Sequence, residues 1–185
     1  VGQVVNTNAA WMAQQLNLAG VGVSRIVAVA DTHREITAAL HEAMLRADVI
    51  LVTGGLGPTR DDITKASLCE FFNTRLVFNE VAYRQIGELF KKRGWALSDR
   101  HREQAELPEA CTPLLNPHGT ASGMWFEKEG KVFVSMPGVP FEMQAIMEVH
   151  VLPRLAARGN DRLVIHRTVM TQGIGESMLR DLIQT

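Results

Sequence analysis

Among all parts of this 185-residue chain, the stretch Thr53-Gly54-Gly55-Leu56-Gly57-Pro58-Thr59-Arg60-Asp61-Asp62-Ile63-Thr64 most narrows the possible folds. It follows Val49-Ile50-Leu51-Val52, an apolar, β-branched run with the length of a strand buried on both faces. It precedes Ile63 to Phe72, whose apolar residues recur at helical spacing. A strand that empties through three glycines onto a helix start is a unit of an α/β sheet. It can also be an anion site, because glycine lets the backbone approach a phosphate and a helix start offers unpaired N–H groups. Asp61 and Asp62 can hold a divalent cation beside such a phosphate. They can equally cap the helix and occupy its first turn, where acidic side chains are favoured without any ligand.

The flanking chain repeats the strand-and-helix order. Asn6-Thr7-Asn8 precedes a helical pattern that reaches Leu18 and ends at Gly20; Thr7 or Asn8 can cap it, and the same geometry suits a ligand. Val21 to Val29 alternates and is β-branched, which predicts a strand. Asp31-Thr32 then caps a helix from about Arg34 to Ala47. Short connections between such elements imply a largely parallel sheet covered on both faces, with ligands beyond the carboxyl ends of its strands. The chain begins at Val1-Gly2-Gln3, without methionine and in a loop-like stretch, so a first strand is expected ahead of it.

Further along, Asn79 to Arg93 reads as a helix capped by Asn79 and stopped by Gly94, followed by a short polar helix from Ser98 to Gln104. A second glycine-punctuated loop, Asn116-Pro117-His118-Gly119-Thr120-Ala121-Ser122-Gly123, leads to a hairpin of Met124 to Glu127 and Val132 to Ser135, turned at Glu129-Gly130. The second hairpin strand runs into a third loop, Met136-Pro137-Gly138-Val139-Pro140-Phe141-Glu142-Met143, which opens a helix with Pro140 near its first turn. Arg154 to Arg162 reads as a connector, Leu163 to Met170 as a strand, and Gly173 to Ser177 as the entry to a last helix.

Several function classes are disfavoured. Nineteen basic against twenty acidic residues leave a net charge of −1, so no overall field draws the chain to nucleic acid or to a membrane. Cys69 and Cys111 have neither zinc-knuckle spacing nor disulfide-scaffold density and read as buried thiols of a cytoplasmic protein. No run approaches the ~20 apolar residues that span a bilayer. No lysine stands at P-loop spacing after Gly57, no G-x-G-x-x-G opens a helix, and no nucleophile elbow is present. His118 beside the second loop can touch a ligand or simply face solvent.

The three loops together resemble the N-terminal domain of CinA, the competence/damage-inducible proteins. The resemblance rests on Thr53 to Thr59 with Asp61, Asp62 and Thr64, on Asn116-Pro117 with Gly119-Thr120-Ala121, and on Met136 to Pro140 with Glu142-Met143. It extends in consistent order over essentially the whole chain. It implies a three-layer α/β/α domain with a mostly parallel central sheet, of the molybdopterin-binding fold of MogA and MoaB. The same resemblance implies ADP-ribose pyrophosphatase activity dependent on a divalent metal such as Mg2+, while nicotinamide mononucleotide deamidation belongs to a C-terminal domain of some members. Two departures stand out: Ser122 replaces the usual Pro, and the family's opening strand with its acidic segment precedes Val1.

The expectations are therefore specific. Residues 1–155 form the nucleotide domain, and 156–185 form a connector and the start of a smaller α/β subdomain. Asp62 and Glu142 are the candidate catalytic residues, with Asp61 and Asp62 as metal ligands. Asn6, Asn8, Thr53, Gly54, Gly55, Gly57, Pro58, Thr59, Thr64, Pro117, Gly119, Thr120, Pro137 and Gly138 are the candidate ligand-binding residues. The expected partner is a small-molecule nucleotide, in a homodimer by the default of soluble enzymes. The alternatives are a non-catalytic pterin- or nucleotide-binding module and a scaffold for a deamidase domain.

Overall fold

A four-stranded mixed sheet lies between two helical layers in the computed structural model, which describes residues 5–57, 63–97, 99–158, 170 and 172–183. The sheet order is β1 (Val49–Thr53), β6 (Lys131–Met136), β5 (Gly123–Lys128), β4 (Thr112–Leu114). β1 and β6 are parallel and in register from Val49↔Val132 to Thr53↔Met136, so both deliver their loops to the same edge. β6, β5 and β4 form an antiparallel meander. The β5–β6 turn has Glu129 at φ 52° and Gly130 at φ 77°, the two left-handed residues of a tight hairpin.

The period-two alternation of the strands divides the core into two layers. On one face Ile50, Met124, Phe126 and Phe133 meet Ile36 and Leu40 of α2 (His33–Arg46), Leu68 and Phe71 of α3 (Thr64–Phe71), and Ile86 and Phe90 of α4 (Glu80–Lys92). On the other, Trp125, Val132, Val134 and Met136 meet Met12 and Leu16 of α1 (Thr7–Leu18) and Met143 and Ile146 of α6 (Pro140–Ile146). This is the three-layer α/β/α arrangement that the resemblance implies. α6 continues through a π-helical turn, Met147–Val151, into α7 (Leu152–Arg158). The turn stands just before Pro153, which has no N–H to give to a regular helical ladder.

Caps follow the residues that predict them. Asn79 Oδ1 accepts from Ala82 N at 3.0 Å to start α4, and Gly94 at φ 69° follows its end. The cap of α1 is Asn6, whose Oδ1 accepts from Ala9 N at 3.0 Å, in place of the expected Thr7 or Asn8. Asn8 is thereby free to reach across to the sheet.

Two features depart from the sequence reading. Val21 to Val29 joins no ladder among the described residues, although its pattern is that of a strand. A second, two-stranded sheet pairs β2 (Leu76–Phe78) with β3 (Glu106–Pro108); Lys65 Nζ ties α3 to it through the carbonyls of Gln104 and Glu106, at 3.2 and 3.0 Å. α5 (Asp99–Gln104) leads into β3, and α8 (Glu176–Ile183) is the last helix. The strand expected at Leu163 to Met170 falls, except for Met170, outside the described residues.

Cys111 is half-buried, and burial first, then the neighbouring Cys69, push its thiol up to about 12 from 9.0. Thiolate is the reactive form, so native Cys111 is expected to alkylate with iodoacetamide at pH 8 at least about a hundredfold more slowly than in the urea-unfolded chain. Because the folded value lies above the unfolded one, this group's contribution to stability is complete below pH 9 and is lost as pH rises towards 12.

Candidate functional site

Both parallel strands end in the loops that the sequence singles out. The β1–β6 ladder extends one step past its ends, with Gly54 N donating to Met136 O at 3.0 Å. Thr53 then donates its hydroxyl to Pro137 O at 3.0 Å. Asn8, in the first turn of α1, donates from Nδ2 to Gly138 O at 2.8 Å and to Thr53 Oγ1 at 3.4 Å. A Cβ added to Gly138 would sit 3.3 Å from Gly54 Cα, so the first and third loops touch backbone to backbone. Asn8 Oδ1 is buried and has no partner among the described residues.

The second loop is held by Asn116, which is 1% exposed. Its Oδ1 accepts from the N–H groups of His118 and Gly119, both at 3.0 Å. Its Nδ2 donates to Ala121 O at 3.0 Å and to Glu142 Oε2 at 2.7 Å. Gln85 of α4 adds a short bond from Nε2 to Asn116 O. One buried side chain therefore folds the loop and joins it to the first turn of α6. Gly119 lies so close to that carboxylate that a Cβ there would fall 2.4 Å from Glu142 Oε2. Phe141 meets the edge of His118, their ring centroids 6.0 Å apart.

The structure thus brings Asn8, Thr53, Gly54, Pro137 and Gly138 together at one end of the junction, and Gly119 with Glu142 beside Asn116 at the other. Gly55, at φ +66°, packs on Thr64: its absent Cβ would lie 2.1 Å from Thr64 Oγ1. Thr64 is only 3% exposed and supports the loop from within. Asn6 is spent on its helix cap. Gly57, Pro117 and Thr120 lie in the first and second loops. Pro58, Thr59, Asp61 and Asp62 lie outside the described residues.

Chemically, the junction offers glycine backbone, hydroxyl and amide groups and one carboxylate at the carboxyl edge of a parallel strand pair, a setting for an anionic ligand. A metal is another matter. Among the described residues no group of three or more His, Cys, Asp or Glu is placed to hold an ion, and one oxygen of Glu142 is engaged by Asn116. The described residues alone do not make a metal centre.

Sequence reasoning missed the organising role of Asn116, which only its burial reveals. It also missed a Ser–His–Glu contact between α2 and α3. His33 Nδ1 lies 2.9 Å from Ser67 Oγ, and its Nε2 makes a short contact with Glu70 Oε2. This is a helix tie and not a nucleophile: Ser67 is fully buried and donates its hydroxyl to Ile63 O at 3.0 Å.

Residues 1–157 match the family described as "Probable molybdopterin binding domain". A CinA-like protein of Flavobacterium psychrophilum is 42% identical over 188 aligned residues, covering 100% of this chain and 44% of that protein. The chain thus spans less than half the length of that relative. Among solved structures, the protein CinA of Thermoplasma acidophilum superposes with a TM-score of 0.73 at 35% identity, covering 84% of this chain and 89% of the other. A molybdopterin biosynthesis protein of Mycobacterium abscessus superposes with a TM-score of 0.56 at 16% identity, covering 84% and 86%, which speaks for the fold alone. Among the described residues no helix is long and apolar enough to cross a membrane.

Proposed function

This chain belongs to the probable molybdopterin binding domain family as one of its CinA-like members, and from that premise we propose that its three-loop junction binds the phosphates of a small nucleotide and hydrolyses the phosphoanhydride of ADP-ribose or a close analogue. The observation that carries the reading is the convergence of the loops after β1, before β5 and after β6, which glycine backbones allow at contact distance. In the reaction, water oxygen adds to one phosphorus, the bridging P–O bond breaks, and two monophosphates leave. Asn8, Thr53 and the loop backbones position the phosphates; Glu142 is the carboxylate of the described residues nearest the second loop.

The divalent metal in this reading rests on Asp61 and Asp62. Turnover of ADP-ribose, followed by release of AMP with Mg2+ and with excess chelator, tests both parts. Asp62→Ala is expected to lower kcat/KM about a hundredfold, the scale on which one charge-stabilising group acts. Unchanged turnover in the folded variant removes Asp62 from the reaction. Two-fold assembly belongs to the same reading and is checked by sedimentation equilibrium.

A second reading, a module that binds a pterin or nucleotide without turnover, is favoured by the bond that Asn116 makes to Glu142, which gives that carboxylate a structural task. Calorimetry with ADP-ribose and with a pterin decides between them: tight binding without product selects the module.

A further inference from the structure

We propose that the exposed rings of Phe141 and His118 form an aromatic corner that stacks the adenine base of a nucleotide, an assignment that rests on the phosphate reading of the three-loop junction. Glycine backbone, hydroxyl and amide groups suit the phosphates of such a ligand. A base needs a flat π-face beside them, and Phe141 supplies one.

Phe141 stands in the first turn of α6, between Pro140 at the helix start and Glu142, which accepts from Asn116. The core-facing residues of that helix, Met143 and Ile146, are both 0% exposed, whereas Phe141 is 57% exposed and belongs to neither buried cluster. One exposed apolar side chain is ordinary on a protein surface. This one has an aromatic neighbour: the second loop brings His118 against it, with ring centroids 6.0 Å apart and planes inclined at 69°.

The backbone of His118 is fixed from two sides. Its N–H donates to Asn116 Oδ1 at 3.0 Å, and its carbonyl accepts from Arg93 Nη2 at 3.0 Å. Both bonds set where the imidazole stands without engaging its ring nitrogens. Arg93 in turn lies over the Trp95 ring, 5.2 Å from its centroid. A corner built before the ligand arrives costs little side-chain ordering on binding. The guanidinium beside His118 also favours an anionic ligand over a neutral apolar one.

The corner adjoins both ends of the junction. Phe141 is three residues past Gly138, which touches Gly54, a reach of at most ~11 Å. His118 immediately precedes Gly119, which lies against Glu142. A nucleotide with its phosphates at the glycine contacts can therefore lay its base on Phe141 without leaving the two loops. A base parallel to the Phe141 ring then meets the His118 plane at 69°, close to the edge-to-face arrangement that aromatic pairs favour.

AMP and ribose 5-phosphate, the two halves of ADP-ribose, share a ribose phosphate and differ by the base, so calorimetric titration of each into the full chain isolates the base. Phe141→Ala is expected to weaken AMP binding at least about tenfold, the scale of one lost stack, and to leave ribose 5-phosphate within about twofold of the parent. Phe141→Leu keeps apolar bulk without a ring and is expected to lose as much as Phe141→Ala. Phe141→Trp is expected to bind AMP at least as tightly as the parent. The side chain is exposed, so parental urea midpoints are expected in all three variants. Unchanged AMP affinity in Phe141→Ala, equal losses for the two compounds, or a Leu variant that binds like the parent each overturn the aromatic corner while the phosphate site stands. If AMP, ribose 5-phosphate and ADP-ribose all fail to bind the parent chain, the phosphate reading falls and the corner falls with it.

Discussion

Gly55→Ala is expected to lower stability by about 3 kcal/mol and the thermal midpoint by roughly 10 °C, the larger share coming from a collision and not from the backbone alone. Two costs add. The residue sits at φ +66°, where an L side chain costs about 1–2 kcal/mol. Its Cβ would also lie 2.1 Å from Thr64 Oγ1 and 3.0 Å from Thr64 Cβ, in a position buried under the loop. Gly130 separates the costs, since it has φ +77° and, among the described residues, nothing within 4 Å of an added Cβ. Gly130→Ala is expected to lose only the backbone share, about 1 kcal/mol. Thr64→Ala removes the hydroxyl, so the Gly55→Ala, Thr64→Ala double variant is expected to recover about half of the extra loss in urea unfolding. If Gly55→Ala and Gly130→Ala cost the same, the packing of loop on helix start is not what fixes glycine at position 55.

That contact also marks what the sequence could and could not reveal. The hairpin at Glu129-Gly130 and the helix between Asn79 and Gly94 were legible because the residues that make them act within a few positions of one another. The three loops were legible for a similar reason: each pairs a strand end with glycine or proline, and strand ends face one edge in a parallel pair. Asn116 was not, because its task joins residues 85, 121 and 142, and nothing local separates a buried organising Asn from a turn Asn. β2 and β3 are three residues each, too short to carry a period. Val21 to Val29 has a strand's residues, yet a ladder also needs a neighbour, and neighbours are set by topology. Thr64 enters the sequence reading through the three-loop resemblance; in the structure it is 3% exposed and packs against Gly55.

The Asn116–Glu142 pair is expected to separate the two tasks that meet in the second loop. Asn116→Ala strands two part-buried N–H groups, one carbonyl and a carboxylate oxygen, and is expected to cost about 3 kcal/mol, since a fully buried unsatisfied group costs about 1–3 kcal/mol and water re-enters to some of these. Asn116→Asp keeps the shape and both accepted bonds, but turns the donor aimed at Glu142 into a second carboxylate. Two carboxyls in contact hold one proton more tightly than either does alone, so the pair's folded-state pKa rises above its unfolded value. The sign follows: the variant is expected to approach parental stability below about pH 4, where both states are protonated, and to lose it progressively as pH climbs toward 7. Urea midpoints at pH 4 and pH 7 measure this, and a deficit independent of pH overturns the pairing. Glu142→Gln completes the set, because its amide oxygen can still accept from Asn116. It is expected to shift stability by less than about 1 kcal/mol. With the fold kept, a fall in the proposed ADP-ribose turnover in that variant reports on the charge of Glu142 rather than on the loop it braces, while unchanged turnover leaves Glu142 as a positioning residue.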